Sequence, residues 1–434
     1  MTTTEENRPS FQEALGVWLR IGLLSFGGPA GQIALMHKVL VEERRWLDER
    51  RFLSALNFCM LLPGPEAMQL ATYSGWRLHG VAGGLAAGLL FVLPGAFVIL
   101  ALGLLYAAFG KLPVVEALFI GIKAAVLAII VEALVRVARR ALHGNLDWVI
   151  AGVAFLALFL FAAPFPFIVA AALIVGFLIS GRTEREVPFA SPAPVSLAGT
   201  LRTVLLWLVI WIAPLGLVVL AFGPSHVLSQ LAWFYSKLAV VTFGGAYAVL
   251  SYMAQQVVEG YGWLTPGEML DALGLAETTP GPLILVTEFV GTLAAWRHGG
   301  GSPLLMGVLG ALVTLWATFA PCFLWIFAGA PYIDRLTHEP RLAGALKAVT
   351  AAVVGVILNL TVWFGLHVLF ADVERVQASV FSLSVPVLSS FQPVLAVLSV
   401  LGALLIFVLK RGILTTLAIC AAASLAWSLL VPSV

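Results

Sequence analysis

Long apolar stretches recur along the whole 434-residue chain, and they limit the folds that it can adopt. Apolar residues make up 61% of the chain, whereas Asp, Glu, Lys and Arg together make up 11%. Water-soluble domains are about 25% charged. About 17 to 25 apolar residues suffice to cross the hydrocarbon core of a bilayer as a helix, which satisfies its own backbone hydrogen bonds. We therefore predict an all-α polytopic membrane protein.

The apolar stretches predict about 13 transmembrane helices. Six belong to the first half of the chain, one to a linker and six to the second half. They lie near residues 11–34, 52–74, 82–108, 114–137, 147–163, 165–180, 201–222, 228–250, 267–292, 303–329, 344–370, 391–409 and 412–431.

The two halves repeat three short motifs at one offset. Phe-Gly-Gly at 26–28 returns at 243–245, Trp-Leu at 46–47 returns at 263–264, and Pro-Gly-Pro at 63–65 returns at 280–282, each 217 residues later. A single linking span between six-span copies would invert the second copy, as in many secondary transporters. The predicted domains are an N-terminal repeat at 1–181, a linker with one span at 182–227 and a C-terminal repeat at 228–434.

Basic residues predict the orientation. The side that holds the N-terminus collects most Arg and Lys residues, so the positive-inside rule places it in the cytoplasm, together with His143 and the loop Arg335 to Arg341. The C-terminus would then lie outside. One loop, at 37–51, carries five cations yet would also lie outside. It would return to the cytoplasm if the FGGP and PGP segments were re-entrant hairpins, and we keep both alternatives open.

Glycine and proline interrupt the spans at the repeated motifs, and a broken helix exposes backbone N–H groups that can bind an anion. The alternative is that these residues only permit kinks and close helix packing. Repetition at both positions favours a substrate site. The predicted backbone and side-chain ligands are Phe26, Gly27, Gly28, Pro29, Gln32, Pro63, Gly64, Pro65, Gly244, Gly245, Pro280, Gly281 and Pro282.

Cations within the apolar stretches are the second kind of predicted substrate ligand. Arg20 and Lys237 each stand six residues before a repeated Phe, and Lys123 has a counterpart in Lys347. A charge inside a span costs roughly 2.5 to 3.5 kcal/mol on insertion scales, so it usually has a partner or lines a pathway. Snorkelling to the membrane surface is the alternative.

Four carboxylates are candidates for proton coupling, because burial can let a carboxylate take up and release a proton during transport. Glu66 directly follows the first PGP motif, Glu277 and Glu288 flank the second, and Glu132 lies in the fourth span. Ion pairing is the alternative for all four, and a favourable position at a helix N-terminus is a further alternative for Glu66.

Several classes of protein are disfavoured. The net charge of +2 provides no basic face for nucleic acid. The sequence lacks HExxH, GxSxG and the phosphate-binding GxxxxGK[ST], so we predict neither an enzyme nor an ATP-driven pump. The three cysteines lie far apart in apolar runs, which predicts no disulfide, metal site or cofactor.

The run Phe26-Gly-Gly-Pro-Ala-Gly-Gln-Ile-Ala34, the segment Glu43-Arg-Arg-Trp-Leu47, Leu62-Pro-Gly-Pro65 and Leu93-Pro-Gly95 resemble the long-chain CHR family of chromate ion transporters. The resemblance covers the whole chain, and FGGP and PGP in combination are specific to that family. In the second copy Ala246 and Tyr247 replace Pro29 and Ala30, so the two copies are not equivalent.

The resemblance implies a secondary transporter that exports chromate and confers chromate resistance. The candidate coupling carboxylates predict that the proton gradient drives this export. It implies a multi-pass protein of the bacterial cytoplasmic (inner) membrane, with chromate and the lipid bilayer as its partners. Sulfate is a structural mimic of chromate, so a transporter of sulfate or another oxyanion is the alternative. A homodimer is kept open.

Overall fold

A computed structural model describes residues 9–26, 28–180, 196–243, 246–333, 339–378 and 381–430. It consists mainly of helices. Those of the first half are α1 (Phe11–Leu24), α2 (Gly28–His37), α3 (Glu49–Leu61), α4 (Glu66–Phe109), α5 (Pro113–Ala141), α6 (Asn145–Phe161) and α7 (Phe165–Ile179). A linking helix, α8, covers Leu197–Phe222.

The second half continues with α9 (Val227–Val241), α10 (Ala246–Gln255), α11 (Pro266–Thr278), α12 (Val286–His298), α13 (Pro303–Gly329) and α14 (Pro340–Leu369). A two-stranded hairpin, β1 (Val373–Ala378) and β2 (Phe381–Pro386), precedes α15 (Pro393–Ala403) and α16 (Ile413–Leu430). Short 3₁₀ segments cover Leu283–Leu285, Ala330–Tyr332 and Leu388–Ser390, and π-helical turns cover Lys38–Glu43, Gln256–Gly260 and Leu404–Val408.

Six of the described helices, α4, α5, α8, α13, α14 and α16, are long and apolar enough to cross a membrane, and α6, α7, α9 and α15 are shorter apolar helices. Many apolar side chains point outward. On α8, for example, Leu217 is 66% and Leu220 is 83% exposed. Exposed apolar surface of this extent requires an apolar surrounding such as lipid. The prediction of a helical, multi-pass membrane protein is confirmed, whereas the count of 13 spans stays a prediction.

The chain folds into two compact units, and each unit draws on both halves of the sequence. The first unit comprises Met1–Ala101, Gly181–Ala246 and Thr279–Ala343, and it therefore contains α1 to α3, most of α4, α8, α9, α12 and α13. The second unit comprises Leu102–Ser180, Tyr247–Thr278 and Gly344–Val434, and it contains α5 to α7, α10, α11, α14, the hairpin, α15 and α16.

Helices break at both copies of the Phe-Gly-Gly motif and at both copies of the Pro-Gly-Pro motif. One helix ends at Leu24 and the next begins at Gly28, and α3 ends at Leu61 before α4 begins at Glu66. In the second half α9 ends at Val241, and the 3₁₀ turn that leads into α12 follows Pro282. A further break lies within α4, where Gly80 has φ 61°.

The helix α1 lies close to the residues that follow α2. Arg44, which follows the π turn after α2, forms a 2.9 Å ion pair with Glu13 at the start of α1. Trp46 also contacts Trp18 edge to face, with 6.4 Å between the ring centroids. A 14-residue helix is about 21 Å long, so the chain must double back after α1. This geometry departs from a single crossing helix over residues 11–34 and matches the re-entrant alternative.

The PGP segment of the first half doubles back in the same way. The Glu49 carboxylate, at the start of α3, lies 2.7 Å from His37 at the end of α2. At the break inside α4, the His79 ring nitrogen lies 2.9 Å from the backbone oxygen of Pro9, next to the start of α1. The start of α3 and the break in α4 therefore lie at the same end of the unit as the start of α1.

The hairpin was not predicted, because its residues were assigned to a loop between two spans. Val373 pairs with Pro386 and Ala378 with Phe381 in an antiparallel register. Arg375 of β1 is held by a 2.9 Å ion pair with Glu259 of the second π turn. The fold is therefore helical with one small sheet.

The doubling back predicts that Glu13 and Arg44 can be cross-linked. Cys59, Cys322 and Cys420 are buried and would first be replaced. We expect a Glu13→Cys/Arg44→Cys pair to react with a short bifunctional thiol reagent, which gel mobility after a protease cut between the two positions would detect. The two single-cysteine variants are the controls. Efficient labelling of both thiols without any cross-link would contradict the observed geometry.

Candidate functional site

Reciprocal backbone hydrogen bonds join the broken helices of the two halves within the first unit. The Gly281 N–H donates to the Ser25 carbonyl at 2.9 Å, and the Gly64 N–H donates to the Thr242 carbonyl at 2.8 Å. Gly281 is 217 positions after Gly64, and Thr242 is 217 positions after Ser25. The break at Phe-Gly-Gly in each half therefore binds the Pro-Gly-Pro turn of the other half.

Reciprocity of this kind is what a two-fold relation between two copies produces, since each contact then occurs twice with the partners exchanged. The side-chain hydroxyls of Ser25 and Thr242, whose carbonyls accept these bonds, make equivalent hydrogen bonds. Ser25 Oγ donates to the Ile21 carbonyl and Thr242 Oγ1 to the Leu238 carbonyl, both at 2.6 Å. Each hydroxyl is thus bonded back into its own helix, and the adjoining carbonyl accepts from the opposite half.

The two PGP glycines have matching conformations and neighbours. Gly64 has φ 120° and Gly281 has φ 91°, in the region that favours glycine. A Cβ on Gly64 would lie 3.1 Å from Cys322 Sγ, and a Cβ on Gly281 would lie 3.5 Å from Gly95 Cα. Gly95 and Cys322 follow Pro94 and Pro321, which the sequence aligns between the halves. Each PGP turn therefore packs on the proline-containing helix of the other half.

Two buried amides come only from the first half. Gln32 Nε2 donates to the Gly281 carbonyl at 2.6 Å, and Gln69 Nε2 donates to the Pro63 carbonyl at 2.7 Å. The offset of 217 places Val249 and Val286 at the corresponding positions of the second half. The polar side chains that bind the PGP turns therefore differ between the two halves. In both amides the Oε1 atom is buried without a partner among the described residues.

The first turn of α2 contains no acidic residue, whereas the first turn of α4 contains Glu66. An acidic residue at a helix start binds the positive end of the helix dipole, and its absence leaves that end available to another anion. Beside this turn the Phe26 side chain is 37% exposed. The start of α2 is therefore the better placed of the two helix starts to bind an oxyanion.

The remaining motif residues differ in burial. Pro65, Gly281 and Pro282 are buried, whereas Gly28, Pro29, Pro63 and Pro280 are partly exposed. Gly27, Gly244 and Gly245 were also predicted as ligands, and they lie outside the described residues.

The two cations predicted to be related by the repeat occupy similar positions. Arg20 is exposed on α1 and Lys237 is exposed on α9. Within the part of the chain that the structure describes, Arg20 forms no ion pair or hydrogen bond. Its guanidinium is therefore available to a ligand.

Lys123, the third predicted cation, belongs to the second unit and has a partner. It forms a 3.4 Å ion pair with Asp271, which is 1% exposed and also accepts a 2.7 Å hydrogen bond from Tyr106. Lys347 likewise pairs with the buried Asp147 at 3.3 Å. Both lysine charges are thus neutralised, which favours a structural role over substrate binding.

Neither aspartate was predicted from the sequence as the partner of a lysine. Asp271 lies inside the predicted span 267–292, so an intramembrane carboxylate was visible there, but only the glutamates were considered as partners.

The predicted coupling carboxylates have different environments. Glu132 is bound by Arg136 one turn later through two hydrogen bonds, one of them 3.0 Å from Nε. Glu277 is 5% exposed and accepts a hydrogen bond from the Tyr247 hydroxyl. Both lie in the second unit. Glu66 begins α4 and is half-buried, with an interaction partner.

Glu288 differs from the other three. It lies in the first unit, six residues after Pro282, with a relative exposure of 0%. Neither carboxylate oxygen has a hydrogen-bond partner among the described residues. An ionised carboxylate buried in this way carries a large desolvation cost. Glu288 therefore differs from the other three candidates, since no described group forms a hydrogen bond with its carboxylate.

Comparison with known proteins agrees with this architecture. The described helices define a multi-pass membrane protein, and the family model "Chromate transporter" matches residues 13–177 and again 229–427. The chain belongs to the chromate transporter family. The two matched regions correspond to the two halves that share the repeated motifs.

Individual relatives cover most of the chain. It is 33% identical over 365 residues to a chromate transport protein of Pseudomonas aeruginosa, covering 82% of each chain. It is 31% identical over 346 residues to a chromate transport protein of Cupriavidus metallidurans, covering 78% of this chain and 79% of the relative. A probable chromate transport protein of Synechococcus elongatus is 30% identical over 356 residues, 82% of this chain and 85% of the relative. No solved structure matches the chain.

The conformations of the PGP glycines predict a stability difference. Gly64→Ala or Gly281→Ala should lower the free energy of unfolding by about 1–3 kcal/mol, because alanine is strained at positive φ. Gly216→Ala in α8 is the control, since no atom lies within 4 Å of its added Cβ and its φ is ordinary. Thermal unfolding in detergent measures the effect. Equal midpoints for all three variants would show that these turns are not under conformational constraint.

Proposed function

We propose that this protein is a secondary transporter that exports chromate across the cytoplasmic membrane, confers chromate resistance and uses the proton gradient. Membership of the chromate transporter family and the names of the relatives support chromate as the substrate. The observation that carries the proposal is the pair of reciprocal hydrogen bonds, which brings four helix breaks together within one unit. A transporter, and not an enzyme, is the class of protein that such breaks at membrane depth support.

Chromate binds, on this proposal, at the start of α2. Backbone N–H groups of the first turn provide partial positive charge, and Arg20 on α1 provides a full charge with a planar fork of donors. The asymmetric amides of Gln32 and Gln69 hold the PGP turns that border this region. Because sulfate is also a tetrahedral dianion, it is the alternative substrate, together with other oxyanions.

The contacts of the first half, extended to the second half through the repeat, support a topology with nine crossings and four re-entrant hairpins in place of the predicted 13 spans. The crossings are residues 81–109 of α4, and α5, α6, α7, α8, α13, α14, α15 with its π turn, and α16. Four crossings in each half, separated by α8, still invert the second half. The loop at 37–51 then lies on the N-terminal side, and its five cations agree with the positive-inside rule.

This topology keeps the predicted orientation, with the N-terminus and His143 in the cytoplasm and the C-terminus outside. Arg335, predicted to be cytoplasmic, and Val434, at the C-terminus, lie outside the described residues. The proposed membrane is the bacterial inner membrane. Labelling of an Arg50→Cys variant from the cytoplasmic side only is the expected result, since thirteen crossings would expose this position outside.

Flux in proteoliposomes tests the function. Purified protein should move chromate against a concentration gradient when a pH gradient is imposed, and a protonophore should abolish this movement. Faster sulfate than chromate flux under the same gradient would instead support the alternative. Absence of flux of either anion, with correctly inserted protein, would contradict a transporter of tetrahedral oxyanions.

Substitution of Arg20 tests the substrate site. Losing a charged hydrogen-bonding partner costs about 1.5–3 kcal/mol, so Arg20→Ala should weaken apparent chromate affinity about 10- to 150-fold. Arg20→Lys should retain part of the activity because it keeps the charge without the bidentate fork. Lys237→Ala, in the diverged second copy, should weaken chromate affinity less. Arg202→Ala is the control, because it removes an exposed cation outside the proposed site. If folded Arg20→Ala protein bound chromate with the affinity of the wild type, Arg20 would not be part of the substrate site.

Proton coupling is tested by two matched substitutions. Glu288→Gln keeps the shape of the protonated side chain, so the variant should fold and bind chromate while its flux loses the response to a pH gradient. Glu66→Gln provides the comparison, since Glu66 is half-buried and partnered. Flux at several imposed pH gradients is the measurement. An unchanged pH response in both variants would place the coupling group elsewhere.

A further inference from the structure

A wide basic cavity lies in the second unit, and none of its lining residues belongs to the repeated motifs. It has a volume of about 790 Å³. Five of its lining residues are basic and one is acidic, namely Arg136, Arg139, Arg140, Lys410, Arg411 and Glu132. A cavity of this size is much larger than a tetrahedral oxyanion requires, and its net positive charge favours an anionic occupant.

Four of the five cations are free to bind such an occupant. Arg136 is engaged by Glu132, whereas Arg139, Arg140, Lys410 and Arg411 form no ion pair with any residue that the structure describes. Arg139 and Arg140 occupy the last turn of α5, where basic residues commonly stabilise the helix dipole. Lys410 and Arg411 follow the end of α15 and its π turn, so a second helix end brings two more cations to the same cavity.

The connection holds its two cations in a fixed conformation. Lys410 has φ 50°, a left-handed conformation that a lysine adopts only at a cost. The Arg411 N–H donates to the Leu405 carbonyl at 2.8 Å and closes the turn. A left-handed residue commonly ends a helix, and the closed turn fixes the positions of Lys410 and Arg411 at the cavity.

The other walls of the cavity are apolar. Val135, Ile406, Phe407 and Ile413 line it, and Phe407 is 42% exposed. The neighbouring Val408 and Leu409 are also exposed. Apolar side chains do not stabilise a bound inorganic anion. A phospholipid, in contrast, places its phosphate among cations and its glycerol and acyl carbons against apolar side chains.

We propose that this cavity binds the headgroup of an anionic phospholipid. The phosphate lies between the end of α5 and the turn at Lys410 and Arg411, and the acyl chains follow the exposed apolar side chains into the bilayer. The inference does not depend on the transported substrate, because it rests on charge and surface at the helix ends.

Native mass spectrometry of the full chain with phosphatidylglycerol and phosphatidylcholine tests the site. A cation near a membrane surface contributes about 1 kcal/mol, so Arg139→Gln/Arg140→Gln or Lys410→Gln/Arg411→Gln should weaken phosphatidylglycerol binding about 30-fold. Arg50→Gln/Arg202→Gln, which removes two exposed cations elsewhere, should leave it unchanged. Binding to the wild type should fall with added salt for phosphatidylglycerol only.

Three results would overturn the proposal. The first is equal affinity of the wild type for both lipids, which needs no variant. The second is equal retention of phosphatidylglycerol by cavity and control variants. The third is binding of inorganic phosphate or chromate by delipidated protein that displaces phosphatidylglycerol and depends on the same four cations, since the cavity would then belong to a free oxyanion.

Discussion

Two backbone hydrogen bonds, each between a helix break in one half and a glycine turn in the other, determine how the first unit is assembled. Each bond satisfies a peptide group that a continuous helix would have satisfied internally. In a membrane this matters more than in water, because an unpaired peptide group has no solvent to bind. The PGP turn of the opposite half therefore stabilises the break at Ser25 and the break at Thr242, so the two halves stabilise each other.

Most of the buried carboxylates discussed above also have partners, as the peptide groups at the breaks do. Buried Asp271 and Asp147 are each paired with a lysine, and Glu277 accepts a tyrosine hydroxyl. Against this background Glu288 stands out, because its two oxygens have no partner among the described residues. In the proposed proton-coupled mechanism one carboxylate changes its protonation state, and an unpaired carboxylate such as Glu288 suits this role better than one that is permanently paired.

The sequence predicted what depends on local pattern. Its apolar stretches predicted a helical membrane protein, and its motif offset located the four breaks and the matching glycines Gly64 and Gly281. It left open whether the first segment crosses the membrane or doubles back, because apolar length alone cannot distinguish a crossing helix from two half-length helices. The cations at 37–51 favoured the re-entrant alternative. Partners such as Asp271 for Lys123 are 148 positions apart in the chain, and only the fold brings them together.

Anomalous scattering from chromium in crystals grown with chromate tests the central claim most directly, because it locates the substrate without altering the protein. The account predicts one chromium site beside Phe26 and Gly28 at the start of α2, within reach of the Arg20 guanidinium, and loss of that site in Arg20→Ala crystals. A chromium site beside Lys123 or in the basic cavity, with none at the start of α2, would contradict it.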